Sequence, residues 1–295
     1  MGYGSYTAAD WSKLRASRKM DSSKSENEIF TRQAIDPRFD PRFVNKREAR
    51  DSKDHPNSTP IILGLDVTGS MGYLANQIAQ ESLNETMMKL YSTNIIEDPA
   101  LLFAAYGDYM DAAPLQVTQF ESDIRIAEQL LDLWLELHGS GQVVPSTLWH
   151  FAANHTSLDS YEKHGKKGFL ITIGDGAECR SQDLKYTFEK VFDEKMPGNV
   201  EKILKQAQEK FEVVHIFVDT VVRADYFKSL LPGRTMNIAP AEIAALPEII
   251  IATMQIINGT SKAEVLAQVS DVNRPIVEKA ISTLAAGSTS KGLSF

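Results

Sequence analysis

The chain has 295 residues, 43% hydrophobic and 24% charged, enough apolar material for at least one sizeable core, which excludes a disordered tail or a fibre. Its 31 Lys and Arg stand against 39 Asp and Glu, a net charge of -8, and such an acidic balance argues against phosphate-backbone binding, so nucleic acid is not an expected partner. A lone cysteine, Cys179, excludes intramolecular disulfides and Cys-based zinc ribbons and reads as cytoplasmic.

The charge is unevenly spread. Residues 1–60 carry 12 Lys and Arg against 9 Asp and Glu, a net +3, while the other 235 carry 19 against 30, a net -11. Residues 1–58 lack sustained periodicity and cluster Ser, Asp, Lys and Arg, the composition of an extended, partly disordered arm. Trp11, Leu14, Phe30, Phe39 and Phe43 are candidate anchors, and the repeat Asp36-Pro-Arg-Phe39, Asp40-Pro-Arg-Phe43 predicts two successive turns. A positive arm is expected to meet the acidic body of its own chain or of a neighbour, which would build an oligomer. No basic patch with an apolar run opens the sequence, and no apolar run approaches a membrane span, so no membrane association is expected.

From Ile61 short apolar runs alternate with amphipathic segments, the pattern of a mostly parallel sheet covered on both faces. Strands are expected at Ile61–Asp66, Leu101–Tyr106, Leu115–Phe120, Gly168–Ile173, Val213–Val218 and Met236–Ile238. The third follows the second too closely for a helical crossover and should pair antiparallel at the edge. Helices are expected at Gly72–Tyr91, Ile124–His138, Pro145–His155, Ser181–Glu194, Asn199–Phe211, Ala224–Leu231 and Ala241–Ile257, the last restarted at Pro247, with its Ile249–Ile257 stripe docked on a core. Ser261–Leu284 reads as two short helices, opened by a capping box at Ser261 and Glu264 and split near Asn273-Arg274-Pro275. The fold class is α/β: a doubly wound, mostly parallel six-stranded, Rossmann-like sheet with one antiparallel edge strand. It is expected over residues 59–259, between the arm of 1–58 and a helical extension of 260–295.

Ligands of such sheets bind beyond the carboxyl ends of the strands. The first strand ends in Asp66-Val67-Thr68-Gly69-Ser70-Met71, three oxygen-bearing side chains from one turn and all hard donors of the kind Mg²⁺ prefers. Asp175 ends the Gly168 strand and Asp108 the second strand, so Asp66 and Asp175 are expected to converge and Asp108 to lie at the same end. Each has a plainer reading. Thr68-Gly69-Ser70 also suits a turn and helix N-cap, Asp175-Gly176 a turn, and Asp108 a loop-capping acid. His150 and His155, five apart, do not share a helical face and are not expected as a metal pair. Cys179 follows the Asp175 loop, where partial exposure is expected, with no base placed for catalysis.

Asp66-Val-Thr-Gly-Ser-Met resembles the Asp-x-Ser/Thr-x-Ser signature of the von Willebrand factor A (vWA) domain, and the element order from Ile61 to Gly259 resembles that family throughout. The resemblance implies a metal-ion-dependent adhesion site (MIDAS) on Asp66, Thr68, Ser70 and Asp175. The family's further loop ligand, a Thr or acid, has no direct counterpart. Ser140, Gln142 or Ser146 would serve, or Asp108 directly or through water. Tyr106-Gly-Asp-Tyr109 resembles a bacterial and phage branch. Such a site would hold Mg²⁺ or Mn²⁺ directly on Thr68, Ser70 and one loop residue, with Asp66 and Asp175 partly acting through water, and leave a position for a partner's Glu or Asp. The implied function is a cytoplasmic protein-binding module, not an enzyme; similarity to adaptors for AAA+ ATPases and to stress, tellurite-resistance or phage-related components suggests such a partner. The enzymatic alternative is a Mg²⁺-dependent phosphatase or phosphotransferase with Asp66 as nucleophile, against which Thr68 stands where the haloacid-dehalogenase type needs an acid. The first turn lacks the Gly-x-Gly-x-x-Gly spacing of dinucleotide sites, and Lys262, Arg274 and Lys279 give the C-terminal helices a thin phosphate footprint.

Overall fold

The computed structural model describes residues 4–21, 23–92, 96–219 and 224–285. Residues 1–3 of the expected arm and 286–295 of the expected extension lie outside them. The main sheet has six strands: β1 (Thr59–Asp66), β2 (Pro99–Tyr106), β3 (Leu115–Val117), β4 (Gly168–Gly174), β5 (Phe211–Val218) and β6 (Thr235–Ile238). Their spatial order is β6-β5-β4-β1-β2-β3. All neighbours are parallel except β3, which runs antiparallel to β2. The doubly wound architecture expected from the alternation is therefore the one observed. Along each strand successive side chains enter opposite cores: Ile61, Leu63 and Leu65 one, Ile62 the other; Leu101, Phe103 and Ala105 against Leu102, Ala104 and Tyr106. Strands coated on both faces need this unbroken apolar run.

The first core is closed by α1 (Ala8–Arg18), α2 (Gly72–Gln77), α3 (Leu83–Ser92), α4 (Arg125–Leu131), α9 (Leu246–Ile257), α10 (Lys262–Gln268) and α11 (Arg274–Ile281), and the second by α5 (Pro145–Asn154), α6 (Ser181–Phe192), α7 (Val200–Lys210) and α8 (Asp225–Leu230). Between α2 and α3 the expected single helix passes through a π-helical stretch, Ile78–Ser82. Pro247 stands in the first turn of α9, where its missing N–H costs nothing, after a 3-10 stretch at Pro240–Ala245. The segment Pro240–Ile257 is long and apolar enough to cross a membrane by length and composition, at 18 residues and mean hydropathy 1.4, but 78% of it is buried here and every residue of α9 is buried. The Ser261–Glu264 capping box forms as expected: the Glu264 N–H donates to Ser261 Oγ and the Ser261 N–H to Glu264 Oε2.

The N-terminal segment is not extended throughout. Ala8–Arg18 is a helix because Trp11 and Leu14, one turn apart, are buried against the body, and Thr7 caps it by accepting from the Asp10 N–H. The twin Asp-Pro-Arg-Phe units form the same turn twice. In each, the Asp carboxylate accepts the N–H of the Arg two residues on (2.9 Å at Asp36, 3.0 Å at Asp40) and that Arg's guanidinium, which in turn lies over the following Phe ring. Phe39 is buried and Phe43 is 70% exposed, so of the two rings only the first anchors, while the second unit is held by its buried Asp40 and Pro41. Arg47–Ala49 then pairs in parallel with Thr156–Leu158.

Candidate metal centre

The chain runs β1, β2, β3 to one side of the sheet and returns to place β4 on the other side of β1, so the carboxyl ends of β1 and β4 flank the point where strand order reverses. Leu65 pairs with Ile173, which sets Asp66 beside Gly174. The approach is close enough to demand glycine. A Cβ on Gly174 would lie 2.6 Å from Asp66 Cβ, 2.6 Å from the Tyr106 hydroxyl and 2.7 Å from Asp66 Oδ2. Tyr106, from β2, donates to the Ile173 carbonyl at 2.9 Å and walls the Asp66 carboxylate on that side.

Asp66 is fully buried. Its Oδ1 accepts from the Thr68 N–H (3.0 Å) and the Thr68 hydroxyl (2.6 Å). Its Oδ2 is buried without a hydrogen-bond partner, and the Gly176 N–H nearby favours the charged form of the carboxylate. Burial pushes the Asp66 carboxyl up to about 7, against the two Thr68 bonds that favour its charge, and the neighbouring Asp175 adds to the rise. Thr68 Oγ1 lies 3.5 Å from Ser70 Oγ, and Ser70 donates to Asp175 Oδ1 at 3.0 Å. Four of the expected residues, Asp66, Thr68, Ser70 and Asp175, thus form one connected set of oxygens from two strand ends.

The remaining expected residues are placed differently. Asp108 is buried and works as a loop organiser: Oδ1 accepts the Met110 N–H, and Oδ2 accepts both the N–H (2.5 Å) and hydroxyl (2.6 Å) of Ser140. The loop carrying Ser140 leans on the first turn, with the Gly69 N–H donating to the His138 carbonyl at 3.0 Å and Gly139 lying against Thr68. Ser146 is committed elsewhere; its hydroxyl and N–H donate to the two carboxylate oxygens of Glu178 at 2.9 and 3.3 Å. Gln142 has a buried side-chain oxygen without a partner, and its short strand Gln142–Val143 pairs with Ala177–Glu178. Cys179, where partial exposure is expected, is buried, and that burial pushes its thiol up, away from reactivity.

Two features escape a reading of the sequence. Glu178 has a pKa raised to about 8 by burial, opposed by the Ser146 hydrogen bonds. Asp111 carries a buried Oδ1 without a hydrogen-bond partner, His138 Nδ1 lies 3.7 Å from it, and burial raises its pKa to about 6. The only advance signal is the second acid of Gly107-Asp-Tyr-Met-Asp111.

The site's donors fit a hard divalent cation. They are all oxygen, the 3.0 Å Ser70–Asp175 spacing matches the edge of about 3 Å that octahedral Mg²⁺ requires, and a buried carboxylate oxygen has no protein donor to satisfy it. Asp66, Thr68, Ser70 and Asp175 would hold the ion, which would supply positive charge to a carboxylate pair and an electrophilic position for an outside oxygen. No protein-family model and no curated protein matches the chain. Its structure is similar to the pilus adhesin SpaC from Lactobacillus rhamnosus GG in an open conformation (10% identity, TM-score 0.45, covering 72% of this chain and 31% of that one). It is also similar to proximal thread matrix protein 1 from the mussel byssus with a zinc-occupied MIDAS motif (13% identity, TM-score 0.44, 66% and 48%), and to a second crystal form of that protein (14% identity, TM-score 0.42, 66% and 48%). The chain spans from 31% to 48% of the length of these structures.

Proposed function

We propose that the chain is a metal-dependent protein-binding module of the vWA type. Mg²⁺ or Mn²⁺, held by Asp66, Thr68, Ser70 and Asp175, accepts a Glu or Asp carboxylate from a protein partner. The observation that supports this most is the buried, unpartnered Oδ2 of Asp66 inside an all-oxygen cluster at the sheet's switch point. A buried carboxylate without a counter-charge costs several kcal/mol or takes up a proton, and a divalent cation removes the conflict. Asp108 and Ser140 set the facing loop. The same geometry weighs against Asp66 as a phosphatase nucleophile: its residue is fully buried and Oδ1 is already taken twice by Thr68. The Tyr-Gly-Asp-Tyr phrase supports a protein of bacterial or phage type and the lone cysteine a cytoplasmic one, with an AAA+ ATPase as the first partner to test.

Affinity capture on the purified chain, with Mg²⁺ and with EDTA, tests the reading. A partner retained only with the metal, and lost with Asp66→Ala, is the expected result. Equal capture by the variant, or phosphoester hydrolysis lost in Asp66→Asn, overturns it.

A further inference from the structure

A second cluster of metal-binding groups lies on the other core, far from Asp66. His150 is on α5 and His155 caps its carboxyl end, ten residues beyond Pro145, which puts His155 about 15 Å along the helix from the loop that faces the first site. On an ideal helix the two imidazoles would point apart. His155, however, has left the helix (φ -113, ψ 26), and its ring turns back to lie 5.6 Å from that of His150, centroid to centroid. Glu194, just past α6, completes the group. His150 Nε2 lies 3.2 Å from Glu194 Oε2, and His155 Nε2 lies 3.5 Å from Glu194 Oε1.

We propose that His150, His155 and Glu194 form a Zn²⁺ site that staples the N-terminal segment to the body. One ligand atom from each residue lies within 4.8 Å of the others. Tetrahedral Zn²⁺ with ligands at about 2.0–2.1 Å sets neighbouring donors about 3.3 Å apart, close to the 3.2 Å from His150 to one Glu194 oxygen and the 3.5 Å from His155 to the other. His155 Nε2 is a buried atom without a hydrogen-bond partner. Its Nδ1 lies 3.2 Å from the Asn45 carbonyl, to which it donates, and this fixes the tautomer with the Nε2 lone pair facing Glu194. His150 is 4% exposed, so its ring is held in place by the surrounding core. Before metal arrives its Nε2–H donates to Glu194, and Asn154 Nδ2 donates to Nδ1. A metal on Nε2 would need that proton on Nδ1, beside the Asn154 side chain. Phe192 stacks on His155 at 9° and meets the edge of His150, which fixes both rings. Glu194 is half-exposed, so the ion has an entry path and a fourth position for water.

The stapling follows from what His155 holds. Its Nδ1 binds Asn45, and its carbonyl accepts the Arg47 N–H at 2.8 Å, where the Arg47–Ala49 strand starts to pair. A metal that fixes His155 therefore fixes the docking of residues 45–49.

The test is Zn²⁺ stoichiometry and Co²⁺ ligand-field absorption on the chelator-stripped full chain carrying Asp66→Asn, which removes the first site. One Zn²⁺ per chain and the spectrum of a four-coordinate nitrogen and oxygen site are expected. Adding Glu194→Gln at the surface, or His155→Ala, should weaken binding by more than about tenfold and leave residues 45–49 more open to proteolysis in the presence of Zn²⁺. Unchanged binding in both, or no Zn²⁺ bound by the Asp66→Asn chain, overturns the proposal. Because the background already lacks Asp66, neither outcome touches the function proposed above, and failure of that function leaves this site standing.

Discussion

At the scale of residues, the site depends on one missing methyl. Gly174 lets β4 lie against Asp66 and the Tyr106 hydroxyl, and Gly174→Ala would press a Cβ to 2.6 Å from both. Two of the three atoms it meets belong to Asp66, which is fixed by Thr68 and cannot swing aside. We expect Gly174→Ala to destabilise the fold by about 1–3 kcal/mol, the cost of overpacking, and to abolish metal-dependent stabilisation, read by thermal denaturation with Mg²⁺ and with EDTA. A variant with wild-type stability and metal response would show that the packing around Asp66 is loose. Asp66, Thr68, Ser70 and Asp175 were legible in sequence because turn spacing and strand ends suffice to place them. Gly174, the Asp108–Ser140 bond and the Ser146–Glu178 pair were not, since each is made by register between segments far apart in the chain. For the histidines the helical wheel separates two rings that lie 5.6 Å apart, because His155 belongs to the cap and not to the helix.

At the scale of elements, the alternation of strand and helix was readable, and the boundaries failed where a second pattern competed. Ile124–His138 looks helical, yet α4 ends at Leu131. Leu133 and Leu135 are buried while Trp134 and Glu136 are half-buried, a period of two that suits an extended chain and not a helix. Side chains settle the matter. Gln116 bonds both the N–H and carbonyl of Trp134, and Glu136 accepts the N–H groups of Ala112 and Ala113. The twin Asp-Pro-Arg-Phe turns form alike because each Asp serves its own Arg, but packing tells them apart. Phe39→Ala should cost about 3–5 kcal/mol, as a buried aromatic does, whereas Phe43→Ala should change stability by less than about 0.5 kcal/mol. Chemical denaturation of both variants checks this, and equal losses would mean that Phe43 is also covered.

At the scale of the molecule, the charge asymmetry of the sequence is answered within the chain. Arg18, Arg32 and Arg38 converge on Asp132, at 3.3, 3.5 and 3.2 Å. Arg50 reaches Asp159 at 2.9 Å and Glu162 at 3.1 Å. Burial alone would raise the Asp159 pKa, but hydrogen bonds from Lys163 and Arg50 and the Asp51 N–H overcome it and lower it to about 2. A carboxylate depressed in the folded state contributes stability above its unfolded pKa, near 4, and loses it as pH falls through the folded one. The wild type should therefore lose stability between about pH 4 and about pH 2 more steeply than Asp159→Asn, with the two converging at the acid end; parallel curves would mean that the segment's docking is not electrostatic.

The proposed metal centre is where these scales meet, and calorimetric titration of the chelator-stripped chain with Mg²⁺ and then Mn²⁺ tests it most directly. One saturable site is expected in the wild type, with stabilisation of about 2.7 kcal/mol at a hundredfold excess over the dissociation constant. Both binding and stabilisation should be lost in Asp66→Asn, which keeps the shape of the side chain and removes its charge. Binding of the same strength to Asp66→Asn would mean that the ion is not held at Asp66.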